Sequence, residues 1–440
     1  MFSLILLSLV IQAALCAKLL SSPSIHTYLS LPLSISVFIW YFIPGLLYLF
    51  FPYDALCSRG LCFSQHETLF VTTYMIESCS LAIILALVWK FPGLPHLATL
   101  PPRTLRIGTF SFTGIIFVLY GAYIISRIFS GDFEYWQLNS ASLYDERSGD
   151  AFRYIIGRFL LAATFYITIQ SDHHHPRFYI GFVLICLEAG LNVYAGGRIS
   201  LVLPLVVLLL IYTKRLDLRT VAVVAFSAAI VVFLILPISY AVQQTRGADS
   251  TVLFAKEYQT FDPMDLAGVL FMKFNSFSSG AELIVSGGGL GYARIEPYLG
   301  SLLVFMPRAL FPNRPVAGSS DGTIYGHPSR VVPAVAGIHS DALNVGVSPA
   351  HIALWHFGYF GLIIFVLSGW MYLNIINKLL KNGTLLYGTC AVYLLNIPSF
   401  LILNSPDNLV KQSIIIGAII LIFAMIREIL KRARILRGAV

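Results

Sequence analysis

Residues 221–250 read VAVVAFSAAIVVFLILPISYAVQQTRGADS, an apolar run that ends near Tyr240 and passes into polar sequence. About 20 consecutive apolar residues are enough to cross the hydrocarbon core of a bilayer as a helix. Beyond Tyr240, residues 241–348 carry arginines, glycines and prolines before apolar sequence resumes. The stretch therefore predicts a membrane span that is followed by a large polar insert.

The composition indicates that the whole chain is a membrane protein. Of its 440 residues, 57% are hydrophobic and 11% are charged, and the mean hydropathy is +0.80. Soluble domains contain about 25% charged residues. Backbone groups that cross a bilayer must hydrogen-bond internally, so the sequence predicts an all-α polytopic fold. The net charge of +8 is explained by basic loops beside the spans, so we expect no nucleic-acid partner.

Apolar runs divide the chain into three parts. Residues 1–240 are predicted to hold transmembrane helices 1–8, residues 241–348 a periplasmic loop, and residues 349–440 helices 9–11 with a basic tail. We expect about eleven spans, each near the length that a bilayer requires. Their predicted ranges are 2–17, 31–51, 69–89, 107–129, 153–170, 178–195, 199–212, 221–240, 349–375, 385–403 and 413–426.

Basic residues are distributed unevenly between the two sides of the membrane. One set of alternate connections holds Lys18, Lys90 and Lys378 and ends in the basic tail after residue 426. Lys and Arg accumulate in cytoplasmic loops, so we expect the C-terminus inside the cell and the large insert outside it. The segment 1–17 ends in small residues and fits either a retained first helix or a cleaved signal peptide.

Two cysteines and a histidine triplet raise the question of crosslinks and metals. Cys57 and Cys62 lie in one external loop, where either a disulfide or two free thiols would fit. Residues 173–175 are three consecutive histidines, but adjacent histidines on a turn cannot all face one ion. We therefore expect no metal and no other cofactor.

The external insert has three recognisable parts. Residues 264–286 contain apolar stretches broken by polar residues, which predicts a helix lying on or dipping into the membrane surface. The glycine-rich residues 286–291 favour a hinge over a phosphate-binding loop, because we see no strand before them. Residues 307–315 contain three prolines, which hold Arg308 and Arg314 on a stiff, turn-rich backbone.

Arginines on the predicted outer side form a candidate anion-binding site: Arg198, Arg246, Arg308 and Arg314. A guanidinium group binds phosphate oxygens in pairs and keeps its charge. Such donors lower the barrier when a diphosphate leaving group gains negative charge. We assign Arg198 and Arg308 to catalysis, and Arg246 and Arg314 to substrate binding. Each arginine also fits the simpler role of anchoring its loop to phospholipid headgroups.

Other external residues are candidates for binding sugar and for taking up a proton. Tyr135 and Trp136 lie among acidic residues, where aromatic rings either stack on sugars or form an interfacial belt. His339 and Asp341 are close in sequence, and we assign them to catalysis as candidate general bases. The wider set of candidate bases is Asp265, Glu282, Asp321, His327 and His351.

Two carboxylates, Glu77 and Glu188, fall within predicted spans. A charged side chain in hydrocarbon is costly and needs a partner. Proton or ion transport would require several such charges at mid-membrane depth. The predicted spans contain too few of them, which disfavours transport.

Three stretches of sequence carry a family resemblance. They are Gly196-Gly197-Arg198 ahead of an apolar run, the proline-rich residues 307–315, and residues 346–361 with Phe357-Gly358-Tyr359-Phe360-Gly361. In order and spacing they resemble the Wzy-type O-antigen and capsule repeat-unit polymerases of the O-antigen polymerase/ligase superfamily. The resemblance implies a multi-helix fold related to the GT-C glycosyltransferases, with Arg198 and Arg308 on the diphosphate.

The chain departs from that family at one functional position. Many relatives have a carboxylate just ahead of the Phe-Gly pair, where this chain has Ala353, Leu354 and Trp355. The general base is therefore unassigned by the resemblance. Arg314 also stands where the family usually places Lys.

The resemblance implies metal-independent, inverting glycosyl transfer at the periplasmic face of the bacterial inner membrane. Donor and acceptor would be undecaprenyl-diphosphate-linked oligosaccharide units, polymerised into the O-antigen of lipopolysaccharide, capsule or exopolysaccharide. Expected partners are the bilayer, a chain-length regulator and a flippase. The alternatives are an O-antigen ligase that delivers glycan to the lipid A core, and a flippase or other transporter of lipid-linked oligosaccharide.

Overall fold

The described residues of the chain fold into helices and the turns between them. The computed structural model describes residues 2–58, 67–92, 110–129, 151–172, 174–194, 202–212, 267–268, 271, 276–286, 289–291, 347–395, 402, 409–410, 412–422 and 424–425. Within these ranges there is no β-strand, as the all-α prediction requires.

Most of the described helices overlap predicted apolar runs. In chain order they are α1 (Phe2–Ser21), α2 (Thr27–Val37), α3 (Ile43–Phe50), α4 (Tyr53–Ser58), α5 (Glu67–Lys90), α6 (Phe110–Phe129), α7 (Ala151–Gln170), α8 (Pro176–Tyr194), α9 (Val202–Tyr212), α10 (Ser276–Ser286), α11 (Pro349–Phe357), α12 (Tyr359–Asn382), α13 (Leu385–Leu394) and α14 (Gln412–Ile422). A π-helical turn, Phe38–Phe42, joins α2 to α3 and makes them one continuous helix.

The described helices have the character of a multi-pass membrane protein. Four of them are long and apolar enough to cross a membrane: Phe2–Ser21, Thr27–Phe50, Glu67–Lys90 and Tyr359–Asn382. Large apolar side chains stay exposed on their outer faces and on those of the shorter helices, as Leu7 (55% exposed) and Val118 (71% exposed) illustrate. Lipid tails can cover such faces. The predicted span 221–240 lies outside the described residues.

The predicted span 349–375 is two helices rather than one. Gly358 has φ +60° and ψ −148°, a conformation that residues with a side chain rarely adopt, and it separates α11 from α12. A Cβ on Gly361 would lie 1.9 Å from the Ala353 carbonyl oxygen, so the two helices cross with their backbones in contact. The prediction of a single span was wrong because apolar composition continues across the break.

Helix α5 is central to the part of the bundle that holds the candidate site. It packs against α1, α10, α11 and α12. Its residues Phe70, Tyr74, Leu81, Ile84 and Leu85 are fully buried. Their spacing follows the helical repeat, so they form one inward-facing stripe.

One end of the bundle is fixed by Asn377 of α12. Its Oδ1 accepts a hydrogen bond from the His26 backbone N–H over 2.9 Å. Its Nδ2 donates to the carbonyl oxygens of Ser24 and Pro92, over 3.3 Å in each case. These bonds join the α1–α2 turn to the residues that follow α5. Two of the connections predicted to be cytoplasmic therefore meet at one end of the bundle.

Candidate functional site

All site residues assigned from the sequence lie outside the described residues, and their roles stay predictions. They are Arg198, Arg246, Arg308, Arg314, His339, Asp341, Tyr135 and Trp136. Of the wider set of candidate bases, Glu282 and His351 are described. His351 belongs to a buried polar cluster, and that cluster is the candidate site.

The sequence of α5 places Glu77 on the inward face of the helix. Glu77 falls in the same stripe as Phe70 and Tyr74, and its residue is 1% exposed. With a rise of about 1.5 Å per residue, Glu77 lies about 15 Å along the helix from its Glu67 end. A carboxylate at such a position needs hydrogen-bond donors around it.

Donors from two other segments surround the Glu77 carboxylate. The Tyr41 hydroxyl donates to Oε1 over 3.1 Å. The Ala350 backbone N–H donates to Oε2 over 3.0 Å, and the Ser348 hydroxyl donates to the same oxygen. The prediction that Glu77 has buried partners is therefore confirmed.

Glu77 also caps the N-terminus of α11. The Ser348 side chain occupies the N-cap position but makes no capping hydrogen bond. The carboxylate of Glu77 replaces it, because it accepts from Ala350 in the first turn of α11. A negative group at this end is favoured by the helix dipole. The start of α11 is thereby tied to α5.

His351 completes the cluster from the same turn of α11. Its Nδ1 lies 2.7 Å from the Ser348 hydroxyl oxygen and 3.7 Å from Glu77 Oε2. The Ser348 proton is directed to Glu77, so the network assigns a hydrogen to Nδ1, which donates to Ser348. The other ring nitrogen, Nε2, is buried and has no hydrogen-bond partner among the described residues. In this tautomer Nε2 presents an unused lone pair.

Helix α10 of the insert lies directly over His351. A Cβ on Gly280 would lie 2.8 Å from His351 Cγ, so only glycine allows this approach. The helix predicted within residues 264–286 is present over Ser276–Ser286, and it packs against α5 and α11.

Apolar contacts hold α10 in that place on both sides of the cluster. On the α5 side, the Phe277 ring lies 4.9 Å from the Tyr74 ring, centroid to centroid. On the α11 side, Leu283 packs against Trp355, and both are buried. The polar cluster is therefore enclosed by the insert as well as by the membrane helices.

The glycine-rich segment of the insert is bonded to the same region. Gly289 and Gly291 have φ of +92° and +76°, so the described end of this segment is a turn that depends on glycine. The Gly291 N–H donates to the Leu354 carbonyl oxygen over 3.0 Å. That carbonyl also accepts from the Gly358 N–H over 2.7 Å. The segment thus reaches α11 next to its junction with α12.

The short helix α4 lies in the connection between α3 and α5. Burial raises the pKa of Tyr53 to about 12, and the carboxylates of Glu67 and Asp54 add to the shift. Its hydroxyl is therefore protonated at neutral pH. Cys57, in the same helix, is disulfide-bonded, while Cys62, the candidate partner in the same loop, lies outside the described residues.

A second buried carboxylate lies between α6 and α8. Glu188 Oε1 forms an ion pair with Arg127 Nη1 over 2.8 Å and accepts from Asn192 Nδ2 over 3.0 Å. The prediction that Glu188 has a partner is confirmed as well. The partner of Glu188 is therefore a permanent cation, whereas the hydrogen-bond donors to Glu77 are neutral groups.

The histidine triplet offers no metal site in the described part of the chain. No group of His, Cys, Asp and Glu with metal-binding geometry occurs among the described residues. His175 Nδ1 accepts a hydrogen bond from the Arg177 N–H over 3.1 Å at the start of α8. His173 lies outside the described residues.

No protein-family model matches the chain, and neither curated proteins nor solved structures provide a match. Two signals in the sequence pointed to the cluster: a carboxylate within the apolar stripe of α5, and a histidine just after the Ser348-Pro349 helix start. Their meeting could not be predicted from sequence, because Glu77 and Ser348 are 271 positions apart and are joined only by helix packing.

Proposed function

We propose that the protein polymerises oligosaccharide repeat units linked to undecaprenyl diphosphate, at the periplasmic face of the bacterial inner membrane. The product is O-antigen, capsule or exopolysaccharide. The reaction is an inverting glycosyl transfer that needs no metal ion and has a diphosphate leaving group.

One observation supports this function most strongly: a buried carboxylate, serine and histidine meet where the insert returns to the membrane helices. Ser348 and His351 stand at the start of α11, and α10 packs over them. Glu77 reaches them from α5. Transfer of a sugar to a hydroxyl group releases a proton, and a histidine paired with a carboxylate is suited to accept it.

The predicted arginines stabilise the leaving group of the proposed reaction. A diphosphate gains charge as its bond to carbon breaks, and guanidinium groups that are already in place stabilise that charge. Arg308 and Arg314 belong to the same insert as α10, and Arg198 follows α8. We keep Arg198 and Arg308 as the diphosphate ligands of the proposed reaction.

Two features support an outward-facing site. Cys57 is disulfide-bonded and belongs to α4, whose Tyr53 ring packs against Phe70 near the Glu67 end of α5. Disulfides persist in oxidising compartments such as the periplasm. Lys18, Lys90 and Lys381 lie in the last turns of α1, α5 and α12, close in sequence to the residues bonded at Asn377. Glu77 lies in the half of α5 nearer to Glu67, which is the periplasmic half in this orientation.

A second candidate function, transport of lipid-linked oligosaccharide, is favoured by the depth of Glu77. Buried ionisable residues within spans often serve proton-coupled transport. A transporter would move the lipid-linked unit without changing its covalent structure. A polymerase would lengthen it.

Deletion of the gene in its native host distinguishes these functions. Loss of a polymerase leaves single repeat units on the lipid A core, and a plasmid copy restores the ladder of chain lengths. Loss of a ligase leaves no O-chain at the surface. Loss of a flippase leaves the lipid-linked unit on the cytoplasmic side. Single capped cores therefore support the proposed function, and either of the other two patterns contradicts it.

The arginine site has its own test in the complemented strain. Arg308→Ala is expected to abolish long chains while the protein still inserts, as a membrane-fraction immunoblot would check. Arg308→Lys is also expected to be impaired, because an ammonium cannot form the paired hydrogen bonds of a guanidinium. A normal ladder in Arg308→Ala would remove Arg308 from the site, and full activity in Arg308→Lys would indicate a headgroup anchor.

A further inference from the structure

We propose that His351 Nε2 is the general base of the transfer reaction, and that Ser348 and Glu77 are the positioning residues that give Nε2 its free lone pair. This assignment rests on the proposed function and deepens it, because it names the proton acceptor of the same site. It concerns a position at which the resemblance to known polymerases leaves no candidate, since Ala353, Leu354 and Trp355 stand ahead of Phe357.

The hydrogen-bond chain fixes the tautomer of His351. Glu77 Oε2 accepts from Ser348, so the Ser348 oxygen is left to accept from His351 Nδ1. With the proton on Nδ1, Nε2 is a base. A neutral imidazole that is held in one tautomer by a carboxylate behind it is the arrangement that general-base catalysis uses.

Glu77 can also stabilise the positive charge that His351 gains during the reaction. When Nε2 takes a proton, the ring becomes a cation in a buried site. Glu77 Oε2 lies 3.7 Å from Nδ1, so an opposite charge stands within a few ångströms of the imidazolium. The Ala350 N–H and the Tyr41 hydroxyl keep the carboxylate in position.

The proposed step forms one bond and breaks another. The acceptor hydroxyl oxygen of one lipid-linked unit forms a bond to the anomeric carbon of the donor sugar. The bond between that carbon and the diphosphate oxygen breaks, and its electron pair leaves with undecaprenyl diphosphate. The hydroxyl proton moves to His351 Nε2. No oxidant, reductant or metal ion takes part.

The second buried carboxylate does not offer the same chemistry. Glu188 is bonded to Arg127 and Asn192 and has no histidine among these partners. It therefore provides a matched control, since it is a carboxylate of similar burial at 6% exposure. His356 provides the matching control for His351, because it lies in the same helix and is 1% exposed.

The first test is kinetic, with the full-length protein in proteoliposomes and undecaprenyl-diphosphate-linked repeat units as substrate. His351→Asn keeps a donor near the Nδ1 position and removes Nε2, so kcat is expected to fall about 10²- to 10⁴-fold with little change in KM. His356→Asn and Glu188→Gln are expected to retain kcat within a few fold, once corrected for folded protein. A wild-type kcat in His351→Asn would overturn the assignment.

The positioning residues are tested by rescue and by a spectroscopic signature. Ser348→Ala is expected to lower kcat roughly tenfold, the effect of one lost hydrogen bond, and Ser348→Thr is expected to restore it. Nitrogen-15 NMR of histidine-labelled protein in lipid, with His351 assigned by comparison with His351→Asn, should show a protonated Nδ1 and a bare Nε2. Ser348→Ala and Glu77→Gln should produce a tautomer mixture. A proton on Nε2 in the wild type would overturn the assignment.

The proposed function and the assignment of His351 as the base can fail separately. If the wild type does not lengthen the glycan, the proposed function fails whatever the NMR shows. If the wild type makes polymer and His351→Asn makes it equally fast, the function stands and the base lies elsewhere. In that event His339 and Asp341 are the next candidates.

Discussion

Glu77 and Glu188 are each nearly fully buried among apolar helices, yet their surroundings differ. Glu188 is paired with the guanidinium of Arg127, a group that stays charged. Glu77 has neutral donors from Tyr41, Ser348 and Ala350, and only a titratable ring at 3.7 Å. The first arrangement stabilises the contact between α6 and α8, whereas the second is suited to proton transfer.

At this residue scale, the Arg127–Glu188 pair should behave as a structural ion pair. Arg127→Met leaves a buried carboxylate without its counter-ion, and we expect it to lower the free energy of unfolding by about 3–5 kcal/mol. Adding Glu188→Leu removes the unpaired charge and should recover most of that loss. Unfolding in lipid or mild detergent, followed by tryptophan fluorescence, measures both. A double variant that is less stable than Arg127→Met would contradict the ion-pair role.

At the scale of elements, α10 and α11 define the site. The nine-residue α11 begins at a tertiary cap provided by Glu77 and ends at the glycine junction with α12. Helix α10 lies across α5 and α11, and Gly280 gives it close contact with His351. These two short helices connect the insert to the membrane helices, so a change in their packing should alter activity more than a change at a lipid-facing position.

Gly280→Ala tests that packing. Replacing glycine by alanine inside a helix usually stabilises it by about 0.5–1 kcal/mol. Here the new methyl group would lie 2.8 Å from His351 Cγ and 2.9 Å from its Cβ, and Cβ cannot move unless the backbone moves. We expect a loss of about 1–3 kcal/mol and a lower polymerisation rate.

Gly190→Ala is the matched control, because a Cβ built on Gly190 of α8 meets no described atom within 4 Å beyond its chain neighbours and its own helix backbone. It should leave activity unchanged and stability equal or slightly higher. If Gly280→Ala behaves like Gly190→Ala in both unfolding and activity measurements, then α10 does not press on His351 as the structure describes.

The elements were predictable to different degrees, for physical reasons. Hydropathy found α5 to within two residues at its start and one at its end, because a membrane helix is selected by length and apolar content alone. It could not find the break at Gly358, since the left-handed conformation of a single glycine has no hydropathy signal. The cluster was predictable only in part. The apolar surroundings of Glu77 in the sequence indicate that it needs a partner, but the identity of that partner depends on helix packing.

At the scale of the whole molecule, the proposed function requires one orientation in the membrane. The insert, with α10, must face the periplasm, and the end near Asn377 must face the cytoplasm. Val285 of α10 is 66% exposed, and Lys381 is exposed at the far end of α12. A cysteine introduced at each of these two positions can show which side of the membrane that position faces.

The sidedness measurement uses single cysteines in a protein in which the four free cysteines of the described residues, Cys16, Cys79, Cys186 and Cys390, are replaced by alanine. Val285→Cys should react with a membrane-impermeant maleimide in intact cells. Lys381→Cys should react only after the cells are permeabilised. The reverse labelling pattern would place the site in the cytoplasm and rule out a periplasmic polymerase.

The most direct measurement of the central claim is the stoichiometry of the purified protein acting on undecaprenyl-diphosphate-linked repeat units in nanodiscs. Each new glycosidic bond should release one undecaprenyl diphosphate, and the glycan should lengthen by whole repeat units. This requires no added metal ion and no acceptor other than a second lipid-linked unit. Lipid-linked units that stay unchanged, or that lengthen only when lipid A core is supplied, would contradict polymerisation by this protein.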